Sequence, residues 1–148
     1  MAALVAVIPT TVFADPLTVS LPTLGIEAHT EPLSVLDGQL GAPVDPDTIG
    51  TYQLPGNLLL VGHVDWAGTT RAFAGLRSLH GGEPIELSDG RNYHVAWVSS
   101  VPTDQADLSD VFAPGDDVLT LITCGGSFSL SQHMYLERLT VRAVRDQR

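Results

Sequence analysis

The sequence predicts a mainly β fold: a closed or nearly closed barrel with one short helix. Three observations predict it. Apolar runs are short and numerous, and fourteen Gly and ten Pro cut them into strand-length pieces. Only one stretch shows helical spacing. The chain has 148 residues, 44% of them hydrophobic, enough for one domain that buries roughly two thirds of its unfolded surface.

In chain order, Leu17 to Leu21 and Gly25 to Thr30 are the first strands, parted by Pro22. Asp37 to Gly50 holds Pro43 and Pro46 and is turn-rich. Asn57 to Val61 is a continuous apolar run between Pro55-Gly56 and Gly62, the pattern of a strand buried on both faces. Phe73, Leu76 and Leu79 predict a short helix over Arg71 to His80, stopped by Gly81-Gly82. Pro84 to Leu87 and Tyr93 to Val101 form a hairpin through Asp89-Gly90. Val118 to Cys124 and Met134 to Val144 are the last strands. In the latter, Leu139, Val141 and Ala143 share one face and Arg138, Thr140 and Arg142 the other.

The net charge of -10 excludes a nucleic-acid partner, which requires clustered Lys and Arg. Asp45 and Asp47, like Asp116 and Asp117, stand among Pro and Gly, where Asp caps turns. No metal and no cofactor is expected. Met1 to Ala14 is apolar and ends Val12-Phe13-Ala14, a small-residue pattern like a signal-peptidase site, so residues 1–16 stand apart from the domain. They lack a basic start, and Pro9 interrupts them short of the roughly 20 residues of a membrane span. They read as the remnant of an export signal or anchor, or as an arm packed on the domain at 17–148.

With a single cysteine, an intrachain disulfide is impossible. Cys124 ends an apolar strand and precedes Gly125-Gly126, so the thiol is expected at a sheet edge where the backbone can approach a substrate. His63 also follows a Gly at the end of a buried run. If 57–61 and 118–124 pair in parallel, the two residues emerge at one end of the sheet. A hairpin of the last two strands places Arg138 opposite Cys124, about 5 Å away between Cβ atoms. Unperturbed thiol and imidazole pKa values near 8.5 and 6.5 leave the thiolate–imidazolium pair at about 1% of the neutral one. That minor form attacks and protonates. A fixed cation would favour thiolate but oppose imidazolium, so Arg138 is assigned to holding the carbonyl oxygen as it becomes an oxyanion.

Thr120-Leu121-Ile122-Thr123-Cys124 resembles the sortase signature Thr-Leu-x-Thr-Cys, followed by an Arg on the next strand. Gly62-His63-Val64-Asp65 is similar to the stretch holding that family's catalytic His, and the likeness runs from about residue 17 onward. Cys-Gly-Gly-Ser-Phe at 124–128 is most similar to class F, with class E next. The resemblance implies an eight-stranded sortase-type barrel with one or two short helices, extracytoplasmic and either membrane-anchored or secreted in a Gram-positive cell. It implies cleavage of a Leu-Pro-x-Thr-Gly-like sorting signal between Thr and Gly through a Cys124 thioester. The partners it implies are surface proteins bearing that signal and an amine acceptor, from a cell-wall precursor or a protein. By the same resemblance Thr123, Leu121 and Gly125 belong to substrate binding and Asp65 orients the His63 turn.

Two further readings remain at this level: a sortase-fold cysteine peptidase that mainly hydrolyses, and a secreted non-catalytic β-barrel binding module. L,D-transpeptidases place a His two residues before Cys, where this chain has Ile122, and papain-like peptidases place Cys before His.

Overall fold

The computed structural model describes residues 17–147 apart from 37–38, 46, 67–68, 71, 103–110, 130 and 132–133. At 36, 39, 65, 66, 69, 70, 101, 124–129 and 134–137 it describes the backbone alone. The reading of residues 1–16 lies outside the described residues.

The strands run β1 (Thr18–Leu21), β2 (Ile26–Pro32), β3 (Val35–Leu36), β4 (Gln39–Leu40), β5 (Ile49–Leu54) and β6 (Asn57–Val61). They continue as β7 (Asp65–Trp66), β8 (Thr69–Thr70), β9 (Pro84–Leu87), β10 (Asn92–Pro102), β11 (Val118–Ser129) and β12 (Met134–Arg145). Eight of them close a barrel in the order β1-β2-β5-β6-β11-β12-β10-β9, with β9 pairing back to β1. β3–β4 and β7–β8 are small separate hairpins. Among the described residues the helical turns are two 3-10 segments, Pro22–Leu24 and Leu76–Ser78.

Strand alternation fills the barrel. Val19, Leu21, Leu58, Leu60, Leu119, Leu121, Val141 and Ala143 belong to one buried cluster. The other face of β6 and β11 is also covered, since Leu59 and Ile122 pack with Val111 under Leu40, Tyr52, Leu54 and Val61. Asn57–Val61 therefore has apolar cover on both sides, as a strand inside a parallel pair requires. Asn57 is fully buried and fully used: its Nδ2 donates to Val111 O at 2.8 Å and Ala113 O at 2.9 Å. Its Oδ1 accepts from Thr120 Oγ1 at 2.8 Å.

Three expectations need correction. The helix over 71–80 is a set of turns ending in the 3-10 segment Leu76–Ser78; Arg71 lies outside the described residues. Phe73, Leu76 and Leu79 are spaced at three, the period of a 3-10 turn, and Gly75 offers no side-chain cap. Gly125-Gly126 does not end its strand. β11 runs through it to Ser129, and the register slips between Gly125 and Phe128, an irregularity that residues without side chains accommodate. β5 occupies the end of what reads as a turn-rich stretch; it buries Ile49 in the barrel and packs Tyr52 and Leu54 outside.

Candidate active site

β6 and β11 pair in parallel from Asn57↔Val118 to Val61↔Ile122. Carried two positions further, this register sets His63 level with Cys124. In the antiparallel pairing of β11 with β12, Cys124 is the direct partner of Arg138. Three positions thus stand at one level of three neighbouring strand paths, each about 4.8 Å from the next. Leu119 and Leu121 line the barrel interior, as do Leu139 and Val141. By alternation, positions 124 and 138 therefore belong to the outer face.

The His and Cys segments are locked together just before their key residues. Thr123 is 4% exposed and donates from Oγ1 to Gly62 O at 2.6 Å. Gly62 N donates to Ile122 O at 3.4 Å. Behind this junction the Phe73 ring packs so closely that a Cβ on Gly62 would lie 2.6 Å from it. Phe73 N also donates to His63 O at 3.1 Å, which fixes the backbone beyond the strand end.

The imidazole is held from the other side. Its Nε2 lies 3.0 Å from Pro43 O. A carbonyl only accepts, so Nε2 carries the hydrogen and Nδ1 is the basic nitrogen of the neutral ring. Glu31, at the end of β2, bears its charge near His63, and its carboxyl is held below the usual range. The main cause is the hydrogen bond from Thr48, reinforced by bonds from the Asp45 and Val44 amides and by His63 itself and opposed by burial. Sequence reasoning missed Glu31 and Pro43. Neither belongs to a local motif, and their contacts reach across 14 to 20 positions.

Arg138 is partly buried, and its Nε is enclosed without a hydrogen-bond partner among the described residues. A buried guanidinium N–H left unmade is costly; the Nε of Arg142, further along the same face of β12, is likewise enclosed. Leu121 is fully buried in the barrel core. Gly125 pairs with Glu137 and Asp65 with Thr70; the side chains of Asp65 and Cys124 lie outside the described ones. Among the described residues no group of three His, Cys, Asp or Glu could hold a metal ion, and no helix is long and apolar enough to cross a membrane. A cavity of about 800 Å³ lined by His94, Asp116, Val118, Val144, Arg145, Asp146 and Gln147 lies at the far end of β11 and β12. Six residues of strand, roughly 20 Å, separate it from position 124.

Fold and site together define a class: a closed eight-stranded β-barrel with Cys and Arg paired across two strands and His just beyond the end of a third. A family model described as the sortase domain matches residues 24–146, and the chain belongs to the sortase family, whose members are cysteine transpeptidases. No curated protein matches the chain. Among solved structures it is similar to a lid mutant of sortase A from Corynebacterium diphtheriae, at 22% identity and TM-score 0.67, over 90% of this chain and 70% of that one. Sortase A from Listeria monocytogenes matches at 17% identity and TM-score 0.67, over 88% and 86% of the two chains. Sortase E1 from Streptomyces coelicolor, with a tripeptide in its active site, matches at 17% identity and TM-score 0.63, over 89% and 88%.

Proposed function

We propose that this chain cleaves a Leu-Pro-x-Thr-Gly-like sorting signal between Thr and Gly and passes the acyl group to an amine. The Cys124 thiolate adds to the Thr carbonyl carbon, and the oxygen takes the negative charge within reach of Arg138. His63, as imidazolium, gives its Nδ1 proton to the Gly nitrogen as the C–N bond breaks, leaving a thioester and a free amine. An incoming amine then adds to the thioester and loses its proton to His63, and the thiolate departs.

The observation that supports this most is the pairing of position 124 with Arg138, whose enclosed Nε has no hydrogen-bond partner among the described residues. Thr123 is read here as a residue that positions the Cys–His junction, because its hydroxyl is spent on Gly62. Leu121 is the packed floor beneath it, Gly125 offers backbone close to the substrate, and Asp65 orients the turn after His63. Class F remains the proposed subgroup, with class E next. Residues 1–16 are read as an arm or the remnant of an export signal, with 17–148 as the catalytic domain. The enzyme works outside the cytoplasm on surface proteins that carry the signal, with a cell-wall precursor or another protein as acceptor.

The test is mass spectrometry of the protein with Leu-Pro-x-Thr-Gly and Leu-Ala-x-Thr-Gly peptides, with and without triglycine. An acyl adduct on Cys124, absent in Cys124→Ala, is expected, and added amine should convert it to a ligated product. Turnover retained in Cys124→Ala would remove the nucleophile assignment. Adduct loss as free acid alone, with amine present, would make the chain a peptidase.

A further inference from the structure

β2 and β5 pair in parallel, Thr30↔Ile49 and Glu31↔Gly50. A parallel pair needs a crossover, and the last part of this one, described at 43–45 and 47–48, returns past His63. It is built on Glu31. Glu31 Oε1 accepts from the Asp45 amide at 3.1 Å and from Thr48 Oγ1 at 2.7 Å. Inside the turn, Asp47 N donates to Asp45 Oδ1 at 2.9 Å and Thr48 N to Asp45 O at 3.2 Å. Pro43 is buried while the next residue, Val44, is 86% exposed. The segment is thus pinned on both sides of an outward-facing Val, and its inner anchor presents Pro43 O to His63 Nε2.

We infer that Glu31 is a positioning residue for His63, holding the 43–48 turn as a strap whose Pro43 carbonyl fixes the hydrogen on Nε2 and directs Nδ1 to the proton transfers. This rests on the proposed acid/base role of His63. Imidazole has two nitrogens, and a ring that presents the wrong one cannot protonate the leaving amine in place. Pro43 itself offers only a backbone oxygen, which no substitution removes, so the strap is controlled through Glu31. The carboxylate acts by accepting hydrogen bonds from the Thr48 hydroxyl and from the Asp45 and Val44 amides, which separates this role from a purely electrostatic one.

The experiment compares Glu31→Ala and Glu31→Gln with the parent protein by nitrogen–proton NMR of the imidazoles and by peptide turnover. In the parent, His63 Nε2–H should give a cross-peak at low temperature, retained by the carbonyl partner against exchange with water. Glu31→Ala should lose that signal and drop kcat by about tenfold, with KM little changed, short of the 10²–10⁴ that general acid–base catalysis supplies. Glu31→Gln keeps one acceptor oxygen for the Asp45 amide and the Thr48 hydroxyl, which share Oε1, and should restore the signal and most of the rate. If Glu31→Ala fails to fold, Thr48→Val removes the hydroxyl donor alone and should give the same changes in weaker form. A parent-like His63 signal and rate in a folded Glu31→Ala would overturn the inference, as would failure of Glu31→Gln to rescue. The NMR arm does not depend on the reaction. Absence of turnover in the parent would count against the enzymatic reading alone, and an unchanged signal with good turnover against the strap alone.

Discussion

Thr123 has one hydroxyl proton and gives it to Gly62 O across 61 positions of sequence. Thr123→Val keeps the shape but leaves that buried carbonyl unsatisfied, which costs about 1–3 kcal/mol. Chemical denaturation should show this loss, and activity should fall with it because the junction carries both Cys124 and His63. Thr123→Ser, which keeps the hydroxyl, should lose much less in both measurements. Arg138→Lys puts a point charge where a planar fork stands. Removing one oxyanion donor costs about 10²–10³ in kcat, and steady-state kinetics should place the loss there; a change confined to KM would make Arg138 a docking residue. These residues were legible for different reasons. Cys124 and His63 each follow an apolar run that ends at its level, and Arg138 follows from hairpin symmetry. Glu31 was not legible, because it acts through the amide and hydroxyl of a turn that no periodicity announces.

At the scale of the element, β6 was readable to the residue because Pro55-Gly56 and Gly62 bound an unbroken apolar run. The opening glycine is required: Gly56 has φ +65°, and a Cβ there would meet Gly115 O. The strand also carries one polar residue deep in the fold. Asn57→Ala strands the Val111 and Ala113 carbonyls together with the Thr120 hydroxyl, a loss of about 3 kcal/mol or more. Urea unfolding should show it as a lower midpoint; an unfolding free energy within about 0.5 kcal/mol of the parent would mean that the 111–113 segment is held by its apolar contacts alone. The misread elements share a physical cause. A spacing of three satisfies a helical template loosely but a 3-10 turn closely, and a Gly pair that would stop an isolated strand does not stop one whose partner, β12, continues alongside.

Across the whole molecule, barrel closure was visible as a count of short strands, whereas strand order was not, because β2–β5 and β6–β11 join distant segments. The end remote from Cys124 is tied by Asp117, whose carboxylate accepts from Tyr93 Oη at 3.0 Å and from Arg145 Nη1 at 3.2 Å. Burial first, and then the bond to Asp117, raise the Tyr93 pKa above its ordinary 10.0. The folded state therefore binds that proton more tightly than the unfolded chain. The resulting stability is complete below pH 10 and is lost as pH rises through the raised value. Melting temperatures should fall more steeply above pH 10 in the parent than in Tyr93→Phe; parallel curves would assign the alkaline loss elsewhere.

The parallel pairing of β6 with β11 also governs when the chemistry becomes available. The β11–β12 hairpin closes over a short stretch of chain, so Cys124 meets Arg138 early. His63 reaches the same level only after closure of a loop about sixty residues long, and non-local pairings of that kind are slow. On the proposed roles, a chain whose β6 has not yet docked on β11 holds position 124 beside Arg138 but apart from His63. The proposed thioester step, which needs His63 beside the thiol, would then wait on the completion of the barrel.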